Sequence, residues 1–352
     1  MTWNATTEAL DLAFRVLTAP PPDIGADLAL ALATSHYGWG PGGTITQLSG
    51  ERDRNFRLDQ ADREPLTLKF INPAEPEAET DMQVSALHHL VEVGCPIAVP
   101  QAVATLGGTP GFTWAHAGTQ VRGRAYTFLD GMSAVHAPTH AAFRRAVGRT
   151  VAEIDIALQD FQHPAVERVF PWDLMHLEML RPLAHVLRED TLRSFILDFL
   201  DRYQSSWAPR LATLPQQVIH GDLSKSNLLV DPRDPSRVKG VLDFGDMVCG
   251  PAIADLAITA SYHMDDAEDP VAALAEVVEG HAVVRPLTEK ERGLLPILVM
   301  ARLVQRIVIP EWRAAQFPEN RAYILRSNTA ARQLLESLLP NWTSMTGATR
   351  VG

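Results

Sequence analysis

Val218-Ile219-His220-Gly221-Asp222-Leu223-Ser224-Lys225-Ser226-Asn227-Leu228-Leu229-Val230 is followed, after a short polar stretch, by Gly240-Val241-Leu242-Asp243-Phe244-Gly245-Asp246. Each segment opens as an apolar run of β-type residues that stops at a polar cluster, and the first resumes as a second apolar run. The pattern predicts a hairpin-like pair of short strands with His220, Asp222 and Asn227 at one end, and a further strand that delivers Asp243 to the same end. Isolated Asp and Asn in loops usually cap helices or make turns. Two ordered clusters between apolar strands carry more, because motif and local context agree.

Phosphoryl transfer asks little covalent work of a protein. It needs a carboxylate to orient and deprotonate a hydroxyl, and oxygen ligands to hold magnesium against the phosphates. Asp222, Asn227 and Asp243 supply that set of groups. Mg2+ takes hard oxygen donors, usually one or two from the protein and the rest from phosphate and water, so a neutral Asn beside an Asp suits it.

Outward from this centre the chain changes character once. Residues 11–33 have helical apolar spacing, interrupted by Pro20, Pro21 and Pro22, and predict two short leading helices within residues 1–35. Residues 44–48, 55–58 and 66–71 read as an antiparallel strand meander, and 75–93 as a helix with acids in its first turn and Gly94 as its stop. Residues 99–104, 112–117 and 122–129 read as further strands. After Asp130 and Gly131, helical periodicity dominates 138–159, 174–187 and 191–211, with β-type runs at 217–219, 228–230 and 238–242 and helices from Ile253 onward. The expectation is an α+β chain: a small N-terminal antiparallel-sheet lobe, residues 1–129, and a larger, mostly helical C-terminal lobe, residues 130–352.

Composition narrows the function. With 46% hydrophobic and 21% charged residues among 352, the chain is of ordinary globular type. A net charge of -11 disfavours nucleic acid as a partner, although a local basic pocket can still hold phosphates. Two cysteines, Cys95 and Cys249, are too few for a disulfide framework or a zinc site. The first residues lack the layout of a secretory signal. The longest strongly apolar run, 294–301, contains Pro296 and is far short of a membrane span. The reading is of a cytoplasmic protein that engages no membrane.

On His220-Gly-Asp222-Leu-Ser-Lys-Ser-Asn227 and Leu242-Asp243-Phe-Gly-Asp246, the chain resembles the aminoglycoside phosphotransferase and choline kinase family, which has a bilobal protein-kinase-like fold. The resemblance implies that Asp222 is the catalytic base, that Asn227 and Asp243 bind Mg2+, and that ATP or GTP donates the phosphate to a small-molecule hydroxyl. Protein kinases place Lys two residues after the base, where this chain has Ser224, with Lys225 one place later. Leu66-Thr-Leu-Lys69-Phe-Ile71 resembles the family strand whose lysine grips nucleotide phosphates. Ser49, Gly50 and Asn55 fall where its phosphate loop belongs, with arginines in place of the usual glycines. Gln83 stands where relatives carry the glutamate partner of that lysine, and Glu79 lies one turn earlier on the same helix face. Arg124 to Gly131, with Thr127 and Leu129, matches the linker whose main chain binds the base.

Gly240-Val-Leu-Asp-Phe-Gly-Asp-Met247, Ala254-Asp-Leu-Ala-Ile-Thr-Ala-Ser-Tyr262 and Pro318-Glu-Asn-Arg-Ala-Tyr323 are most similar to hydroxylysine kinase-like members of that family. A hydroxylated amino acid carries an ammonium and a carboxylate, so its pocket needs acids and an arginine. Asp246, Asp265 and Asp266 are the candidate acids, Arg302 and Arg306 the candidate cations, and Trp172 a candidate wall. Aminoglycoside, homoserine and choline kinase-like activities remain alternatives on the same fold, and a non-catalytic kinase-like binding protein is the alternative of another class.

Overall fold

The computed structural model describes residues 7–341 except 41, 51, 117 and 266. These residues form two compact units, one built from the described residues of 7–93 and 98–130 and the other chiefly from 131 onward.

The first unit opens with α1 (Thr7–Thr18) and α2 (Ala26–Tyr37). β1 (Thr44–Leu48), β2 (Arg54–Gln60) and β3 (Arg63–Ile71) follow as the expected meander, then α3 (Glu77–Glu92), β4 (Ala102–Val103), β5 (Phe112–His116) and β6 (Thr119–Thr127). The sheet runs β1-β2-β3-β6-β4, with β5 also on β6, and every pairing is antiparallel. Strand alternation decides its two faces. Phe56, Leu58, Leu66, Leu68 and Phe70 point to one side and bury against Ala29, Leu32, Ala33 and Tyr37 of α2. Lys69, between Leu68 and Phe70, points to the other. The run at 99–104 forms only a two-residue strand.

The second unit contains β7 (Met132–Ser133), α4 (Ala141–Leu158), α5 (Asp190–Arg202), α6 (Ala208–Leu211), β8 (Gln217–Ile219), β9 (Leu228–Asp231), β10 (Asp234–Val241) and β11 (Val248–Gly250). Helices α7 (Ala252–His263), α8 (Pro270–Val284), α9 (Glu289–Gln316), α10 (Arg321–Ile324) and α11 (Asn328–Leu338) complete it. Three expectations are corrected. The strands flanking the His220 loop do not form a hairpin: β8 pairs with β11, whereas β9 pairs with β10 and β7. Residues 174–186 form a kinked 3₁₀ segment, with non-helical backbone at His176 and Pro182 inside, in place of a helix. The short apolar run at 294–301 belongs to the 28-residue α9, because Arg302, Gln305 and Arg306 interrupt its sequence pattern without leaving the helix. By length and composition α9 could cross a bilayer, but 89% of its apolar window is buried within the unit.

Helices α4 and α8 meet backbone to backbone. A Cβ on Gly148 would stand 1.8 Å from Val277 O, and one on Gly280 would stand 1.8 Å from Arg145 O. Two glycines therefore let these helices approach closer than any side chain permits. Arg144–Glu276 and Arg145–Glu279 ion pairs flank the crossing.

Candidate active site

Asp222 lies in the loop between β8 and β9, and that loop is tied down from several sides. Gly221 takes φ +79, and a Cβ there would stand 2.5 Å from Asp246 O, so glycine suits the turn both conformationally and sterically. Its amide and that of His220 donate to the two oxygens of Asp255 at 2.9 and 3.0 Å. Asp222 N donates to His220 Nδ1 at 3.2 Å, which leaves the imidazole proton on Nε2, 3.1 Å from Leu242 O. Leu242 N donates to Asn227 O at 2.8 Å. The two polar clusters are thus joined through His220 and the main chain of Asn227 and Leu242.

The support beneath the loop is itself acidic. Asp255 on α7 is fully buried, and Asp155 of α4, 1% exposed, lies near enough to feel its charge. Burial, then the charge of Asp255, pushes the Asp155 carboxyl well above its ordinary range. The sequence signal for Asp255 was a single acid in the apolar run Ala252-Ile-Ala-Asp-Leu-Ala-Ile258. Asp155 carries no comparable mark.

The Asp222 carboxylate is held at both oxygens. Asn227 Nδ2 donates to Oδ2 at 2.8 Å and also to Asp222 O at 2.8 Å, while Arg302 Nη2 lies 3.3 Å from Oδ1. Burial pushes this carboxyl up to about 6; the Arg302 charge opposes the rise, and Asp246 and Asp243 add to it. A carboxylate in that range is suited to accept a proton near neutrality. With Nδ2 of Asn227 engaged, its Oδ1 is the end left to accept an electropositive partner.

Asp243 adopts φ +59, the left-handed region that non-glycine residues seldom occupy, and its Oδ1 accepts from Gly245 N at 3.2 Å. Arg168 holds the next turn by donating to Gly245 O at 2.6 Å. Among the described residues no group of three or more His, Cys, Asp or Glu side chains could hold a metal ion. One exposed carboxylate and one amide oxygen instead match the chemistry of Mg2+, which draws its remaining ligands from phosphate and water.

The candidate acceptor residues of the second unit gather around Tyr262, which sequence reasoning had named only as the end of a family motif. Its ring centroid lies 4.2 Å from the Arg306 guanidinium and 5.5 Å from that of Arg302, and Trp172 faces Arg302 at 4.7 Å. Asp265 accepts from both Arg306 terminal nitrogens, at 3.1 and 2.6 Å. Arg302 and Arg306, 1% and 2% exposed, are committed to protein partners rather than presented to solvent. Asp246 closes the 3₁₀ turn after Asp243. Asp266 lies outside the described residues.

In the first unit Lys69 Nζ lies 2.8 Å from Asp53 Oδ2, and Asp53 Oδ1 accepts from Asn72 N at 2.8 Å. Asp53, in the β1–β2 loop, was not among the partners that sequence reasoning weighed on α3. Gln83 donates to Glu75 Oε1 at 2.9 Å. Gly50 packs against the main chain of Asp53, where a Cβ would stand 2.5 Å from Asp53 O, and Asn55 Nδ2 reaches Ser49 O at 3.5 Å. Thr127 donates its amide to Gln101 O at 2.9 Å and accepts Gln101 N at its hydroxyl, and Leu129 follows the end of β6.

His263, at the end of α7, braces the loop from behind through Nε2 and Leu223 O, 3.3 Å apart. Burial pulls its pKa from 6.5 to about 3. Below pH 6.5 the unfolded chain binds a proton that the folded chain refuses until about pH 3, so this residue's stabilisation is complete above 6.5 and is lost as pH falls through that window. The slope reaches about 1.4 kcal/mol per pH unit. Thermal unfolding temperatures from pH 7 to pH 4 should therefore fall less steeply in His263→Gln, whose amide can still donate to Leu223 O, than in the parent; parallel curves would contradict this assignment.

Residues 44–293 match the family described as the phosphotransferase enzyme family. A hydroxylysine kinase of Danio rerio is 32% identical over 292 residues, covering 80% of this chain and 82% of the relative. Among solved structures, a microcompartment-associated aminopropanol kinase superposes with a TM-score of 0.66 at 19% identity, covering 90% of this chain and 98% of its own. An amicoumacin kinase in complex with AMP-PNP, Ca2+ and Ami gives 0.66 at 16%, covering 88% and 97%. The shared architecture is the protein-kinase-like α+β fold.

Proposed function

Since the chain belongs to the phosphotransferase enzyme family and is a phosphotransferase acting on a hydroxyl group, we propose that it moves the γ-phosphate of ATP or GTP onto an amine-bearing metabolite, with 5-hydroxylysine the leading acceptor. The observation that carries the reading is the Asp222 carboxylate, fixed at one oxygen by Asn227 and at the other by Arg302 and raised to about 6. In this reading Asp222 takes the acceptor's hydroxyl proton. The freed oxygen pair forms the new bond to the γ-phosphorus, and the bond to the bridging oxygen breaks to leave a nucleoside diphosphate.

Asn227 Oδ1 and the Asp243 carboxylate would hold Mg2+, which when bound neutralises phosphate charge. Residues 1–129 take the nucleotide: Lys69, oriented by Asp53, and the loop of Ser49, Gly50 and Asn55 engage its phosphates, with Gln83 behind them. Main-chain groups near Thr127 and Leu129 engage the base. Residues 130–352 supply transfer and acceptor binding, with Asp246, Asp265 and Trp172 nearest the amine. Support for an amino-alcohol acceptor comes from the hydroxylysine kinase and aminopropanol kinase likenesses.

The test is a panel of 5-hydroxylysine, homoserine, choline and aminoglycosides, each with ATP and with GTP, followed by release of nucleoside diphosphate. The highest magnesium-dependent kcat/KM is expected with 5-hydroxylysine. A higher value for another acceptor replaces the substrate assignment and leaves the transfer chemistry standing.

A further inference from the structure

Arg302 is a charged side chain buried to 1% exposure in the second unit, and its partners define what it does. Nη1 donates to Trp172 O at 3.2 Å and to Gln305 Oε1 at 3.3 Å. Nη2 faces three acceptors: Tyr262 Oη at 3.1 Å, Asp222 Oδ1 at 3.3 Å and Gly221 O at 3.4 Å. The guanidinium plane is packed by the Trp172 and Tyr262 rings. Gln305 fixes the same stretch by donating to Pro171 O at 3.1 Å. A buried guanidinium is costly unless paired, and the carboxylate in direct hydrogen-bonding reach here is that of Asp222.

The terminal torsion of an aspartate is broad, so the plane of its carboxylate is set by partners rather than by the side chain's own rotamer. One hydrogen bond leaves that plane free to swing about it; two bonds on different oxygens do not. Asn227 supplies the first bond, on Oδ2, and Arg302 the second, on Oδ1. Arg302 is in turn kept in place by Tyr262, whose ring also packs on Arg306, and Arg306 is neutralised by Asp265. Burial raises the Tyr262 phenol to about 12, so it stays neutral as an acceptor for Arg302.

We propose that Arg302 is a positioning residue for the base: it fixes the Asp222 carboxylate plane through Oδ1 and ties it to α9, and it does not bind the acceptor's carboxylate. The proposal rests on the reading of Asp222 as base, so the test carries a variant for each.

Phosphorylation of 5-hydroxylysine, or of whichever panel acceptor turns over fastest, is measured with full-length Arg302→Ala, Tyr262→Phe and Asp222→Asn. Arg302→Ala should lose on the order of a hundredfold in kcat, as a misoriented catalytic group does, with acceptor KM and MgADP affinity unchanged. Millimolar guanidinium chloride should restore at least about tenfold of that loss by refilling the cavity, an effect general structural damage does not show. Asp222→Asn should be impaired and gain nothing from guanidinium. A folded Arg302→Ala whose acceptor KM rises at constant kcat makes Arg302 a substrate ligand and overturns the proposal, as does absence of rescue. If Asp222→Asn keeps the parent kcat, it is the base assignment that fails. Should Arg302→Ala not fold, Tyr262→Phe decides: it removes one hydroxyl acceptor and keeps the ring, and a parental kcat in that variant overturns the proposal.

Discussion

Asp222→Asn is expected to lower kcat by about a hundredfold to ten-thousandfold, the range that general base catalysis contributes, while MgADP binds as to the parent. The amide is nearly isosteric but accepts no proton at neutral pH. It also sets one NH2 group among donors, since Asn227 Nδ2 and Arg302 Nη2 both point at the carboxylate. One of those bonds must break, so part of the loss is orientation. Steady-state kinetics with a separate calorimetric titration of MgADP separates the two effects. A parental kcat would remove Asp222 from the reaction.

The second large effect is expected at Asp243. Replacing it with Asn should weaken magnesium-dependent nucleotide binding by at least about a hundredfold, because the loss of a charged ligand exceeds the tenfold to hundredfold cost typical of disturbing a ligand's supporting partners. Asn is chosen over Ala because Asp243 has a structural task as well. It occupies a left-handed conformation and caps Gly245 N, and Asn tolerates that backbone and can keep that bond. Nucleotide affinity measured in EDTA should match the parent. Equal affinity with magnesium present would contradict the ligand role.

Much of the architecture was legible because the signals were local. β1 and β8 have the bounds read from their β-branched runs, and Asp222, Asn227 and Asp243 stand where apolar strands break. Pairing was less legible, since it depends on partners distant in sequence. The run Val218-Ile219 carries nothing to say that its neighbour is Val248-Cys249 rather than Leu228-Leu229. Burial of charge was hidden for a similar reason. Arg302 and Arg306 have the i, i+4 spacing of a solvated helix face, yet their acceptors include Gly221 O, Trp172 O and Ser261 O, main-chain atoms of other segments. The same holds for Lys69, whose partner Asp53 lies in a loop that glycine counting had marked as irregular. The family likeness rested on the loops around Asp222 and Asp243, whose side chains form a specific pattern, and carried the fold with it; the scaffold has no such signature, because many sequences fill the same space.

The α4–α8 crossing bears on how this protein can vary. At most tight contacts a larger residue is accommodated by trimming the side chain opposite. At Gly148 and Gly280 the obstacle is the other helix's main chain, which no substitution can shorten. A side chain added at either position has no compensating partner on the facing helix, so the two helices must move apart to admit it. Diversity belongs instead at contacts made by side chains on both sides, which can change together.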